Sequence, residues 1–260
     1  MNILDKIVLD KRKEVDLKKS IIPVSQLEAS VLFERPTVSL AKALRSSQSG
    51  IIAEHKRRSP SKSVINQNNS VADVAVGYEN AGACGMSVLT DGKYFGGSLE
   101  DLLLARASVQ MPLLRKEFII DEYQLLEAKA YGADVILLIA SILSRDEIKA
   151  FSEFAKTLHL DVLLEIHNEE ELHKSVMPSL DMLGVNNRNL KTFEVSLDTS
   201  KNLSQLIPDD FVKVSESGIS SSAAIQELKP YGYQGFLIGE NFMKTDNPGE
   251  SALQFIKSIN

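Results

Sequence analysis

The sequence predicts an α/β fold, a closed (β/α)8 TIM barrel with an N-terminal helical extension. Three observations carry this. Eight short apolar runs alternate with eight segments of helical periodicity. Runs such as "VILLIA" are continuously apolar, as strands covered on both faces require. The alternation occupies a chain of 260 residues with no linker rich in Pro, Gly or Ser. Right-handed βαβ units explain the alternation, and eight of them favour a closed barrel over an open doubly wound sheet. Residues 1–260 are therefore expected to form one barrel domain, with residues 1–49 packed on it as the extension.

In the opening segment, Ile3, Leu4, Ile7, Val8 and Val15 recur at helical spacing, which predicts an amphipathic helix with a strongly charged outer face. The strand candidates follow in order as IIAEHK, MSVLT, LLRKEF, VILLIA, VLLEI, MLGVN, FVKVSES and GFLIGE. The intervening helical patterns are VADVAVGYENAGA, SLEDLLLARAS, EYQLLEAKAYGA, SRDEIKAFSEFAKTL, NEEELHKSV, SLDTSKNLSQLI and SSAAIQELKPYG, and ESALQFIKSIN closes the chain. The connection from Arg57 to about Ser70 is polar and longer than most βα connections, so a mobile lid is expected there.

Composition narrows the function. The chain is 43% hydrophobic and 25% charged, an ordinary globular balance. Its net charge of -6 argues against a general nucleic-acid surface but leaves room for a local basic pocket that takes a small anion. The basic residues of the first helix read as a solvated face. Cys84, the single cysteine, can form no intramolecular disulfide and reads as core packing, which points to a reducing cytoplasm. The N-terminus lacks the apolar centre of a signal peptide and no run reaches membrane-spanning length, so a cytoplasmic location with no membrane contact is expected.

Active sites of such barrels lie at the C-terminal ends of the strands, and there the polar residues collect. Side chains alternate along a strand, so Ile52, Glu54 and Lys56 share one face while Ala53, His55 and Arg57 share the other. Lys116 and Phe118, Glu165, Asn186, and Glu216 with Ser217 end other strands in the same way. Apolar partners one step earlier (Leu114, Leu163 and Val214) would fill the core and put the charged residues at the mouth, facing the axis. Two lysines and three glutamates converging there demand mutual pairing or a ligand. After the seventh strand comes "SESGISSS" and the eighth ends in "LIGEN"; amides of Ser217, Gly218, Gly239 and Glu240 near helix starts would suit a phosphate. His55, His159, His167 and His173 form no metal-ligand pattern, and solvated or capping roles are expected of His167 and His173. No dinucleotide, P-loop or Ser–His–Asp pattern appears, so chemistry without metal or organic cofactor is expected.

From about Gly50 onward, "IIAEHKRRSPSKS", "SVLTDGKYFGGS", "LLRKEFIIDEYQ", "GADVILLIA", "LLEIHNEEEL", "GVNNRNL", "VSESGIS" and "FLIGENFM" together closely resemble the indole-3-glycerol phosphate synthase family. The resemblance implies conversion of 1-(o-carboxyphenylamino)-1-deoxyribulose 5-phosphate into indole-3-glycerol phosphate in tryptophan biosynthesis, with release of carbon dioxide and water and without a cofactor. It implies catalytic positions at Glu54, Lys56, Lys116, Glu165, Asn186, Glu216 and Ser217. Substrate-binding positions follow at Ser59, Arg188, Gly218, Ile238, Gly239 and Glu240, with Phe95, Phe118 and Leu190 as an apolar wall for the anthranilate ring. The partner is the small phosphosugar-anthranilate substrate, and a monomer or weak homo-oligomer is expected. Ser63, Ser215 and Asn189 depart from residues usual in the family at those places.

Within that reaction Lys116 is the candidate acid for the ketone, its pKa expected to be lowered by neighbouring cations and its position held by Glu54. Glu165, lifted by burial, would protonate the departing hydroxyl, and Lys56 would neutralise the substrate carboxylate or assist dehydration; the two lysines could exchange roles. Asn186 and Glu216 would fix hydroxyl and amine groups. Two other readings are a related phosphosugar isomerase, such as phosphoribosylanthranilate isomerase, and a catalytically silent barrel. The pair of lysines disfavours the first, and the intact Glu54, Lys56, Lys116 and Glu165 set disfavours the second.

Overall fold

In the computed structural model, which describes residues 3–59, 62, 64–66, 68–190 and 192–259, each apolar run becomes a strand. The extension comprises α1 (Ile3–Ile21), α2 (Val24–Glu28) and α3 (Leu40–Ser46). Then follow β1 (Ile51–His55), α4 (Val71–Asn80), β2 (Gly85–Leu89), α5 (Gly92–Phe95), α6 (Leu99–Ser108), β3 (Leu113–Lys116), α7 (Tyr123–Ala130), β4 (Val135–Ile139) and α8 (Arg145–Thr157). The second half comprises β5 (Asp161–Ile166), α9 (Glu169–Ser175), β6 (Met182–Asn186), α10 (Asp198–Ser204), β7 (Val212–Glu216), α11 (Ser222–Leu228), β8 (Tyr233–Ile238), α12 (Glu240–Met243) and α13 (Pro248–Lys257). The strands pair in parallel and in sequence order, and β8 returns to β1, so the sheet closes as the (β/α)8 barrel expected.

The helices start where their caps dictate. The side chains of Ser70, Ser98, Asn168 and Ser221 each accept a hydrogen bond from an amide in the first turn of the helix that follows, and Ser144 forms a full capping box with Glu147. Outward-facing strand residues such as Ile51, Ala53, Val88, Leu113 and Ile136 pack under this helical layer. Inward-facing residues such as Ile52, Leu114, Leu137, Leu163 and Val214 fill the barrel interior.

The extension spans the barrel from one end to the other. Ile3, Leu4 and Ile7 of α1 reach the cavity at the C-terminal mouth, while Val15 packs with Leu27 of α2 against Tyr123 and Leu126 of α7. Its charged face is not wholly outward as expected, because Lys11 is buried. At the opposite end, Leu40 and Leu44 of α3 press against the starts of β2 and β8 near Gly85 and Gly235 and close the barrel floor. Two aspartates at strand starts receive the descending chain. Asp161 accepts from Ser39 Oγ at 2.7 Å and from the Ala41 amide at 3.1 Å. Asp134, fully buried, accepts from Arg35 at 2.6 Å, the Val38 amide at 2.9 Å, Arg106 at 2.9 Å and the Leu113 amide at 2.9 Å.

Of the expected lid, Pro60, Ser61, Ser63 and Gln67 lie outside the described residues. Its described part is anchored: the Ile65 amide donates to the Arg57 carbonyl, Asn66 donates to the carbonyls of Met243 and Thr245, and Ser59 pairs with Lys62 as an antiparallel bridge.

Breaking a buried ion pair from one side leaves a charge without compensation, at a cost of about 3–5 kcal/mol. Asp134→Ala should lower the free energy of unfolding by about that amount, since Arg106 stays buried without its carboxylate. Urea denaturation checks this; a loss below about 1 kcal/mol would show that the staple contributes little.

Candidate active site

Closure of the barrel brings the strand-end residues together. Asn186 lies beside Glu216 across β6 and β7, and Glu165 lies beside Gly184 across β5 and β6. They surround a cavity of about 420 Å³ at the C-terminal mouth. Glu54, Lys56, Ser59, Phe95, Lys116, Phe118, Glu165, Asn186, Arg188, Leu190, Ser217, Gly218, Ile238, Gly239 and Glu240 all line it. Glu216 does not: it is only 1% exposed and meets the cavity through Lys116.

Lys116 is the hub. Its Nζ donates to Glu216 Oε2 at 2.6 Å and stands 3.8 Å from both Glu54 Oε2 and Glu165 Oε2. Lys56 Nζ pairs with Glu54 Oε1 at 2.7 Å. Glu54 is thus the direct partner of Lys56, and Glu216, rather than Glu54 as expected, holds Lys116. The expected lowering of the Lys116 pKa is also overturned. Burial opposes its charge, but the carboxylates of Glu216, Glu54 and Glu165 outweigh burial and raise the pKa well above the ordinary ammonium value. For Glu54 burial likewise opposes ionisation, and Lys56 and Lys116 prevail to hold it below the usual carboxylate range. Two ammoniums cannot balance three carboxylates, and the imbalance falls on Glu216. Burial, reinforced by Glu165 and Glu54, lifts it to about 7 despite Lys116.

The backbone makes room for these carboxylates. A Cβ at Gly184 would lie 2.3 Å from Glu216 Oε1, and a Cβ at Gly239 would lie 2.5 Å from Glu54 Oε1. Gly184 escaped the sequence analysis because a lone glycine in a strand carries no chemical signal. Lys11 escaped it too. Its ammonium, carried in by α1, pairs with Asp91 at 2.9 Å and Glu117 at 3.0 Å, immediately behind the mouth. Asp91 in turn caps α5, whose Phe95 packs at a tilt of 40° against Phe118 with ring centroids 5.9 Å apart. A buried charge on the extension therefore braces the apolar wall.

At the other end of the cavity, Ser217 and Gly218 both adopt left-handed backbone, with φ of 66° and 80°. Asn187, 1% exposed, supports this turn: its Nδ2 donates to the Ser217 carbonyl at 3.0 Å and to Ser215 Oγ at 2.9 Å, while its Oδ1 accepts from the amide and hydroxyl of Ser200. Ser215 is a working member of this network, since a residue without a hydroxyl would leave Asn187 one acceptor short. The Glu240 carboxylate is engaged by Lys62 at 2.9 Å.

The histidines differ from expectation in one case. His173 is exposed beside Glu169, and His55 is buried behind β1 with its pKa pushed down to about 4, first by burial. His167 is not solvated: its ring is only 10% exposed and stands between Glu165 and Glu171. Among the described residues no group of three or more His, Cys, Asp or Glu side chains is arranged to hold a metal ion.

The profile of the indole-3-glycerol phosphate synthase family matches residues 4–255. An indole-3-glycerol phosphate synthase of Bacteroides thetaiotaomicron is 48% identical over 258 residues, covering 99% of each chain. Solved structures resemble the fold at much lower identity. A 3-hexulose-6-phosphate synthase from Salmonella typhimurium superposes with a TM-score of 0.63 at 10% identity, over 81% of this chain and 98% of that one. KGPDC from Streptococcus mutans gives a TM-score of 0.60 at 14% identity, over 80% of this chain and 96% of that one. These two likenesses concern the barrel alone.

The raised proton affinity of Glu216 leaves a signature in stability. Its folded pKa of about 7 exceeds its ordinary value of 4.5, so the folded state holds the extra proton and stability falls as pH rises through that window. Relative to Glu216→Gln, the wild-type protein should lose on the order of 3 kcal/mol of unfolding free energy between about pH 4.5 and pH 8. Denaturant titrations of both proteins across that range check this; a constant difference would show that Glu216 does not titrate in that window.

Proposed function

The chain belongs to the indole-3-glycerol phosphate synthase family, and from that premise we propose how its own residues divide the work. The enzyme is a decarboxylating lyase of tryptophan biosynthesis that closes the ring of 1-(o-carboxyphenylamino)-1-deoxyribulose 5-phosphate and releases carbon dioxide and water. The observation that carries the assignment of roles is the Lys116 ammonium, gripped by Glu216 and within ion-pair reach of Glu54 and Glu165.

In the first step the ring carbon bearing the carboxylate attacks the ketone, and Lys116 gives a proton to the ketone oxygen as it becomes a hydroxyl. Its raised pKa keeps it charged at neutral pH, and an alkoxide is basic enough to take the proton even so. Lys56 faces the substrate carboxylate until carbon dioxide departs and the electrons of the broken bond return to the ring system. The new hydroxyl then leaves as water with a proton from Glu165, expelled by the nitrogen lone pair. Glu54, held ionised between the lysines, takes the final proton from the methylene carbon beside the nitrogen, now part of the new ring, and completes the aromatic system. Asn186 and Ser217 orient the substrate's polar groups. Glu216 acts through Lys116 as its positioning partner, and its raised pKa lets it take up a proton as the anionic substrate binds.

The phosphate belongs at the amides of Gly218 and Gly239, with Ser59 and Arg188 beside it; the engagement of the Glu240 carboxylate by Lys62 supports this, because an unpaired carboxylate there would repel the anion. Phe95, Phe118 and Leu190 enclose the anthranilate ring. The acidic balance and single cysteine support a cytoplasmic enzyme without a nucleic-acid partner.

Turnover followed by indole fluorescence tests the roles of the lysines. Lys116→Met should lower kcat and kcat/KM alike, on the order of 10² or more, with little change in KM. Lys56→Met should express part of its loss as a higher KM. A Lys116→Met enzyme with near-normal kcat and a large rise in KM would move the acid to the other lysine. In crystals soaked with inorganic phosphate, density should appear at the Gly218 and Gly239 amides; phosphate found only on surface lysines would count against the anion site.

A further inference from the structure

Leaving β6, the chain makes a short hairpin over the mouth before α10 begins. Arg188 and Val195 pair as an antiparallel bridge, and the Asn189 amide donates to the Glu194 carbonyl at 2.8 Å. The Phe193 amide donates to the Asn189 carbonyl at 2.8 Å, and Phe193 itself adopts left-handed backbone with φ of 60°. Glycine or asparagine normally takes such a position, because a larger side chain brings its Cβ against the following carbonyl oxygen. Burial does little to offset that strain, since Phe193 is 43% exposed. A bulky residue kept where the turn disfavours it points to a functional constraint rather than to folding. Two features supply one. The left-handed turn aims the Phe193 carbonyl at Arg188, whose Nη1 donates to it at 3.3 Å. The side chain lines the active-site cavity together with Leu190 and Val195 of the same hairpin.

We propose that Phe193 is a substrate-binding residue whose phenyl ring covers the carbon chain joining the phosphate to the anthranilate ring. The inference rests on the reading that places the phosphate at the Gly218 and Gly239 amides. Val195 fixes one end of the hairpin there: its Cγ1 stands 2.5 Å from where a Cβ on Gly218 would lie, so the hairpin sits directly on the turn of Ser217 and Gly218. Leu190 fixes the other end, since it belongs to the apolar wall proposed for the anthranilate. Phe193, between them in the chain, faces the sugar carbons. Substrate that fills the cavity takes the exposed phenyl ring out of water, and that burial favours binding in proportion to the area covered. Meanwhile the Phe193 carbonyl keeps the Arg188 guanidinium at the mouth. The Glu240 carboxyl, held below the usual range by Lys62 first and by Lys56 and Arg188 as well, places the charge of that guanidinium near the β8 side of the anion site. The strain at Phe193 thus serves two contacts with one substrate.

Turnover followed by indole fluorescence, inhibition by inorganic phosphate and thermal unfolding of the unliganded enzyme together test this. Phe193→Asn removes the phenyl ring but keeps a residue that accepts the left-handed turn and a carbonyl for Arg188. Its KM should rise about tenfold with kcat nearly unchanged, because the lost contact is made alike in the ground and transition states. Inorganic phosphate, too small to reach the phenyl ring, should inhibit this variant as strongly as wild type. Relief of the strain should leave Tm at the wild-type value or raise it by about 2–4 °C. Phe193→Leu, which restores apolar cover on the same strained backbone, should recover most of the lost affinity. An unchanged KM in Phe193→Asn would overturn the proposal. A higher KM accompanied by a lower Tm and weaker phosphate inhibition would overturn it too, since that is the pattern of a collapsed hairpin. The premise fails separately: if inorganic phosphate does not compete with substrate in wild type, the anion site is misplaced and the assignment of Phe193 to the sugar chain falls with it, whatever KM does.

Discussion

Two ammoniums and three carboxylates share the floor of one barrel mouth, and most features of this structure follow from holding them there. Desolvating any one of these groups alone would cost several kcal/mol, so none can be placed independently. The arrangement is a network in which Lys116 serves three carboxylates, Lys56 serves one, and the charge left over raises the proton affinity of Glu216. A network of this kind has little freedom to relax. It needs backbone without side chains at Gly184 and Gly239, where a methyl group would strike a carboxylate.

The N-terminal extension belongs to the same design. It closes the barrel floor with Leu40 and Leu44, is stapled through Asp134 and Asp161, and returns at the mouth with the buried Lys11. The chain that seals the inactive end thus also neutralises Asp91 and Glu117 behind the apolar wall. Stability and site geometry are supplied by different ends of one segment, which is why its apolar and charged residues cannot be exchanged freely.

Much of this was legible from the order of residues. Period-two alternation assigns Glu54, Lys116, Glu165 and Glu216 to the inward face of their strands, and the rule that barrel sites lie at strand C-termini assigns them to one mouth. The glycines after the last two strands, where the phosphate is proposed to bind, were legible as well. Nothing local marks Lys11 or Asn187, which find Asp91 and Glu117, and Ser215 and Ser217, far along the sequence, and nothing marks His167 as other than one of four scattered histidines.

By itself, then, the sequence determined which residue types face the axis, because the parity of a strand is a local property that survives any arrangement of its neighbours. Only the tertiary structure decided which charges pair and which protons stay. Lys116 and Glu216 are separated by 100 positions and meet at 2.6 Å because the barrel closes. Their protonation depends on burial and on the sum of every nearby charge, so the expectation of a lowered Lys116 pKa had the wrong sign: the neighbours that closure supplies are mainly carboxylates.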